Sequence, residues 1–355
     1  MLGIDRSAAR ITWTAAAILL VLWLVYLVRS TLFIFVLALL FAYLLSPLVD
    51  LLNRILPERR IRTRTPALAL AYVIFVALVV GAGAQIVPRV VEQATALKER
   101  FPNMVADWER PAAPPTGDLS SLRNQVLDKV RIEVAKRSND LIAALPRLGL
   151  RFLLVASDLI YVVIIPVLAF FFLKDGGQIR DHILSLVDAG PRRALLEDVL
   201  ADVNVLLAHY MRALVLLSFC AFSAYGIFFA IIGVPYGILL AALSCLLEFI
   251  PMVGPLAASL IILLVAGLSG GPIPWILAFL VAYRMFQDYF VSPHLMGQGV
   301  ELHPLLVLFG VFAGAEVAGI AGTFLSVPVL ALVRIVYIRI RKARLSVELP
   351  GSSPC

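Results

Sequence analysis

Apolar residues run along the chain in blocks of about 20, the length an α-helix needs to cross the hydrocarbon core of a bilayer. Full-length candidates cover residues 11–28, 31–52, 66–87, 150–173, 209–232 and 274–291. Two further apolar stretches, 236–268 and 304–338, do not read as single spans. The first contains LEFIPMVGPL, residues 247–256, where Pro251, Gly254 and Pro255 interrupt the run. The second passes through GVFAGAEVAGIAG and divides at its glycines. Halves this short suit re-entrant hairpins or broken helices, which are tolerated at membrane depth where protein or a water-filled cavity satisfies the freed backbone groups. Two full crossings per stretch are the alternative. The pattern therefore predicts an all-α membrane protein, a polytopic helical bundle with two broken or re-entrant helical hairpins.

Between the spans, residues 88–149 are polar. Val87, Val90, Val91, Ala94, Leu97 and Phe101 recur at helical spacing, as do Leu122, Val126, Val130 and Val134, with PAAPPTG at 111–117 between the two sets. This spacing predicts amphipathic helices outside the membrane. They read either as a solvated spacer packing on itself or on neighbouring subunits, or as a ligand-binding insert. A second amphipathic stretch, 178–208, is expected along the cytoplasmic surface. The organisation is then three N-terminal spans in 1–87, the extracytoplasmic insert 88–149, and a fourth span with interfacial helices in 150–208. A C-terminal transmembrane core, 209–338, and a basic tail, 339–355, complete it.

Composition agrees with the spans. Hydrophobic residues make up 61% and charged residues 15%, with mean hydropathy +0.97, against about 45–50% and 25% in soluble domains. The net charge of +7 sits largely in short loops beside apolar runs. Arg54, Arg59, Arg60, Arg62 and Arg64 crowd one loop, and Arg339, Arg341, Lys342 and Arg344 crowd the tail. Such clusters mark cytoplasmic segments, which places both termini in the cytoplasm and leaves nucleic-acid binding without support. The first apolar run is too long for a signal peptide and reads as a retained span. Cys220 and Cys245 lie in apolar segments and Cys355 is last in the chain, so no disulfide framework or metal-ligand spacing emerges.

No G-x-x-x-x-G-K-[ST], H-E-x-x-H or C-x-x-C occurs in the chain, so no cofactor or metal is expected and the chain does not read as an enzyme. A secondary transporter or a passive channel is the simpler reading. Ionisable residues at membrane depth are functional candidates by default, and here they are Asp158, Glu248, Arg284, Asp288 and Glu316. Arg284 and Asp288 stand four apart with Gln287 beside them, and form either a polar path or a self-neutralising pair. Glu248 and Glu316 each lie in a split stretch, suited to binding a proton or cation or to holding a hairpin by an interhelical hydrogen bond. Asp158 suits a structural contact, and His294 and His303 suit loops. Thirteen of the 22 glycines fall between Gly226 and Gly322, marking close helix approach or breakage. Gly310 and Gly314 form a G-x-x-x-G, whose plain reading is helix packing. Two interrupted segments in one transporter also point to the substrate site.

FFLKDG (171–176), GVP (233–235), EFIPMVGP (248–255), SPHLMGQGVELHP (292–304) and GIAGTFLSVP (319–328) follow one another in an order that resembles the autoinducer-2 exporter family of bacterial membrane proteins. The resemblance covers nearly the whole chain, insert included. It implies a multi-pass inner-membrane permease that assembles as a homo-oligomer, with a pentamer as the family's form. It also implies a cargo such as the furanone signal autoinducer-2 or, in other members, sodium or lithium exchanged for protons. Matched positions include Pro235, Glu248, Pro251, Gly254, Pro255, Pro293, Gly297, Pro304, Gly319, Gly322 and Pro328. Met252 stands where the family more often has an aromatic. The resulting expectation is a secondary transporter exporting a small polar solute or moving a monovalent cation, with Glu248, Arg284, Gln287, Asp288 and Glu316 as coupling residues. The prolines and glycines at 235, 251, 254, 255, 319, 322 and 328 serve as hinges or hairpin tips. A passive oligomeric pore and a membrane scaffold that binds partners through its insert are the rivals.

Overall fold

The structure is a computed structural model that describes residues 6–55, 65–109, 159–291 and 302–348. Asp158, His294, Pro293, Gly297, the arginines between 56 and 64, the second amphipathic set of the insert and the last residues of the tail lie outside the described residues.

Every regular element among the described residues is helical: α1 (Arg6–Leu27), α2 (Arg29–Ile55), α3 (Thr65–Glu109), α4 (Leu159–Ser185) and α5 (Pro191–Ile232). Then follow α6 (Gly237–Leu247), α7 (Val253–Leu268), α8 (Ile273–Phe286) continued by a π-helical turn (Gln287–Val291), and α9 (Pro304–Glu348). Helices α2, α3, α5 and α9 are long and apolar enough to cross a membrane. The chain is an all-α polytopic membrane protein.

Its two apolar stretches that looked interrupted are interrupted. In the first, α6 and α7 have 11 and 16 residues, about 16 and 24 Å at 1.5 Å per residue, and neither alone matches a core of about 30 Å. In the second, α9 leaves helical geometry at Ala318 (φ −142°, ψ 20°) and Gly319 (φ 60°, ψ −139°), and the chain doubles back. A β-carbon built on Gly314 would overlap the backbone of Gly322, and one on Gly322 the backbone of Gly314. Only glycine lets the two arms of α9 approach this closely. The G-x-x-x-G thus packs within its own hairpin.

Two helices run past the boundaries at which polarity changes. Helix α3 has 45 residues and carries the third span and the start of the insert in one rod. Its distal part is not solvated on all sides: Leu97 and Phe101 are buried with Tyr225 and Phe229 of α5, Leu240 of α6 and Leu268 of α7. Gln93 Oε1 accepts the backbone N–H of Leu239 in the first turn of α6 at 2.9 Å, satisfying one of the amides a helix start leaves unpaired. Helix α5 likewise joins the stretch before residue 209 to the span after it. It begins with Pro191 at its first turn and ends at Gly233 in the left-handed region (φ 71°), whose N–H donates to the Phe229 carbonyl.

A second core joins α2, α5 and α9 through Leu40, Tyr210, Leu214, Val327 and Ala331. A smaller one joins α2 and α3, with Phe170 and Leu173 of α4 packed against it. At one end of the second core Arg339 of α9 grips α5. Its Nε and Nη2 donate to Asp202 at 2.6 and 2.8 Å, and its Nη1 to Asp198 at 2.9 Å. The Arg339 guanidinium holds the Asp202 carboxyl below the usual carboxylate range. The basic tail and the charged start of α5 therefore share one end of the molecule.

Candidate functional site

Glu248 is the last residue of α6 in effect: its N–H donates to the Ser244 carbonyl at 3.0 Å, and the helix stops there because Pro251 can neither donate nor continue the ladder. The turn that follows is tight. Ile250 N–H donates to Leu247 O at 3.0 Å, Gly254 N–H to Ile250 O at 2.9 Å, and Val253 N–H to Pro251 O at 2.7 Å. The last bond closes a three-residue γ-turn whose central residue, Met252, has φ 62° and ψ −50°, a rare and strained form for a residue with a side chain. Gly254 cannot be replaced without a clash, since a β-carbon there would overlap the Leu247 carbonyl oxygen.

Across from this turn, α8 ends and the π-helical turn begins at Gln287, a distortion of the kind often found at functional sites. Gln287 is only 3% exposed, and its Nε2–H donates to Glu248 Oε1. Arg284 Nε and Asp288 Oδ2 form an ion pair at 2.9 Å. The pair neutralises itself, and both members line a cavity of about 200 Å³ together with Glu248 and Gln287. Pro251, Met252 and Pro255 form the turn side of the cavity, Tyr210, Leu214 and Leu217 the α5 side, and Val307 and Val327 the α9 side. The structure thus gathers four of the five candidate polar residues around one opening.

Glu316 is not among them. It is exposed, three residues before the α9 break, and does not line the cavity. Pro235 sits in the α5–α6 turn, beside Val234, whose N–H donates to Phe229 O at 2.9 Å. Gly319 forms the α9 break and Gly322 its close contact. Pro328 is buried one residue beyond cavity-lining Val327, and its missing N–H frees the Phe324 carbonyl four residues earlier. Tyr210 supplies the replacement: its hydroxyl donates to Phe324 O at 3.5 Å, tying α5 to α9 beside the cavity. Sequence reasoning missed Tyr210. The proline announces a freed carbonyl, but only the fold says which helix brings the donor. His303 caps α9, its Nδ1 accepting the Leu305 N–H at 3.2 Å.

Among the described residues no cluster of three or more His, Cys, Asp or Glu side chains is arranged to hold a metal ion. What the cavity offers is one carboxyl held by a neutral amide, beside an internally balanced ion pair. Chemically, such a carboxyl can accept a proton, a cation or a hydrogen bond.

Comparison with known proteins covers nearly the whole chain. The model of a family described as "AI-2E family transporter" matches residues 14–342. The chain is 26% identical over 338 residues to the Bacillus subtilis (strain 168) protein named "Putative transport protein YrrI", covering 90% of this chain and 89% of that one. It is 24% identical over 310 residues to "Putative transport protein YueF" of the same organism, covering 84% and 81%. A third relative, "Putative transport protein BpOF4_00890" of Alkalihalophilus pseudofirmus, is 24% identical over 350 residues, covering 91% and 85%.

Proposed function

The chain belongs to the AI-2E transporter family, and from that premise we propose that it is a secondary permease in which Glu248 is the coupling residue for a small polar solute or a monovalent cation. The observation that carries this reading is the Glu248–Gln287 contact at the break between α6 and α7, inside a cavity shared with the Arg284–Asp288 pair. With Arg284 committed to Asp288, a charged Glu248 leaves the cavity one negative charge in excess, and a protonated Glu248 leaves it neutral. Charge at membrane depth is costly unless paired, so a proton and a cation compete for this carboxyl. Exchange of one for the other, or proton-coupled export of an autoinducer-2-like solute, follows from that competition.

The location belongs to the same proposal: the inner membrane, with the Arg339 end of the molecule and both termini cytoplasmic, following the arginine clusters. So does a homo-oligomer, with a pentamer as its form. The scaffold reading is less well supported, because Leu97, Phe101 and Gln93 bind the first part of the insert into the C-terminal core and leave no separable partner-binding module there.

Proteoliposomes containing the full chain test the coupling. Sodium, lithium and small polyhydroxylated solutes are offered in turn, with and without an imposed proton gradient. At least one should move faster down or against its gradient when protons flow the opposite way. Flux of every probe at a rate indifferent to the proton gradient would replace the coupled permease with a passive pore.

A further inference from the structure

The cavity reaches Arg284 and Gln287 on the α8 side, and the buried polar face of α8 continues beyond it. Tyr283 stands one helical turn before Gln287 and next to cavity-lining Arg284. It is 7% exposed, and its hydroxyl has no hydrogen-bond partner among the described residues. On α5, Ser218 follows cavity-lining Leu217 directly. It is 4% exposed, and its hydroxyl is unpartnered in the same way. Seven residues on, and so on the same face of α5, Tyr225 sets its ring edge-on to Tyr283 with centroids 5.0 Å apart. Glu248 and Arg284 lie within electrostatic reach of both tyrosines.

Orphaned buried hydroxyls are rare in native proteins, because each forfeits its bonds to water. Ser218 is the sharper anomaly. A serine inside a helix ordinarily relieves itself by donating to the carbonyl four residues back. Ser244 does so to Leu240 O at 2.9 Å, and Ser259 to Pro255 O at 2.8 Å. Ser218 does not, although it directly follows cavity-lining Leu217.

We propose that Ser218 and Tyr283 form a second, occluded polar station between α5 and α8, one helical turn from the Glu248 cavity, which takes a small neutral O–H group as the next step of the translocation route. The two hydroxyls are each donor and acceptor and bring no charge, so the occupant is water or a hydroxyl of the solute rather than a bare ion. Aromatic rings of Phe229 and Phe279 pack against Tyr225 at 5.8 and 5.3 Å and close the far side, which keeps the occupant small. The route rests on the permease reading above; the occupancy of the station does not.

Thiol accessibility in membrane vesicles reads the station without any transport assay. Ser218→Cys is placed in a chain carrying Cys220→Ala, Cys245→Ala and Cys355→Ala, and exposed to the small neutral reagent methyl methanethiosulfonate. The control is Ala241→Cys, fully buried on α6 in apolar packing. Modification at 218 should be an order of magnitude faster than at 241, and equal slow rates overturn the station. Slowing by molar glycerol assigns the occupant to a solute hydroxyl, and no slowing assigns it to water. Tyr283→Phe gives an independent reading, since it keeps the ring and deletes only the hydroxyl. A downward shift in melting temperature is expected because an occupied hydroxyl loses its partner; an upward shift, the sign of a relieved orphan, overturns the proposal. Slow modification at 218 in a protein whose transport still requires Glu248 would sink the station alone and leave the cavity reading intact.

Discussion

Met252 holds φ at 62° and ψ at −50°, which costs a residue with a side chain about 1–3 kcal/mol. The strain is imposed from both sides, by Pro251, which stops α6, and by Gly254, which lets α7 start against the Leu247 carbonyl. Met252→Gly should therefore raise the melting temperature, despite glycine's entropic cost, and a drop would show the turn to be relaxed. Gly254→Ala should lower it sharply, since over-packing against rigid backbone costs about 1–3 kcal/mol or more. Two acids one might treat alike separate at this scale. Glu248 faces Gln287 in a cavity, whereas Glu316 is exposed at a bend. That Glu248 needed a polar surrounding was legible from its place between apolar residues and prolines. That Glu316 lacks the same surrounding was not, because a one-dimensional pattern cannot tell the inside of a hairpin from its outer apex.

Among elements, the broken helices were the most legible, since proline and glycine act locally on the backbone that contains them. Both splits, at 248–252 and at 318–319, fall within the stretches whose composition foretold them. Long helices were less so. Polarity changes along α3 and α5 without the backbone changing, because helical hydrogen bonds are indifferent to whether the rod is in lipid or water. The reach of α3 into the core makes a deletion test position-dependent. Replacing 110–149 by a short flexible linker should preserve folding and flux, because Leu97 and Phe101 remain. A deletion that begins at residue 100 removes Phe101 and should destabilise the core by about 3–5 kcal/mol, as loss of a buried phenylalanine does. Equal melting temperatures for the two deletions would show that the Phe101 contacts contribute nothing. Within α9, Gly314→Ala should be disruptive and Gly310→Ala milder, because Gly314 meets backbone whereas Gly310 meets the flexible end of Leu330.

At the scale of the whole molecule, membrane class and family were plain from composition and from five ordered motifs, while the pairing of distant helices was not. Nothing in the sequence joins Arg339 to Asp198 and Asp202, 137 or more residues away; only the close packing of α5 against α9 does so. That clamp lies outside the apolar segments, where exposed ion pairs contribute about 1 kcal/mol or less, and Arg339→Ala should lower the melting temperature modestly. Because Asp202 is held below the usual carboxylate range, its contribution is complete above the ordinary carboxylate pKa of about 3.9 and is lost as pH falls below it. The clamp should thus be insensitive to pH between 5 and 8, and Arg339→Ala should shift the melting temperature equally across that window. The central claim, that transport passes the Glu248 cavity, is tested most directly by initial flux rates in proteoliposomes. Glu248→Gln and Glu316→Gln are compared side by side with the unaltered chain, using whichever probe that chain moves. The expected result is a loss of roughly tenfold or more for Glu248→Gln, about 1.4 kcal/mol per factor of ten, with Glu316→Gln unchanged. Full flux in Glu248→Gln would contradict it.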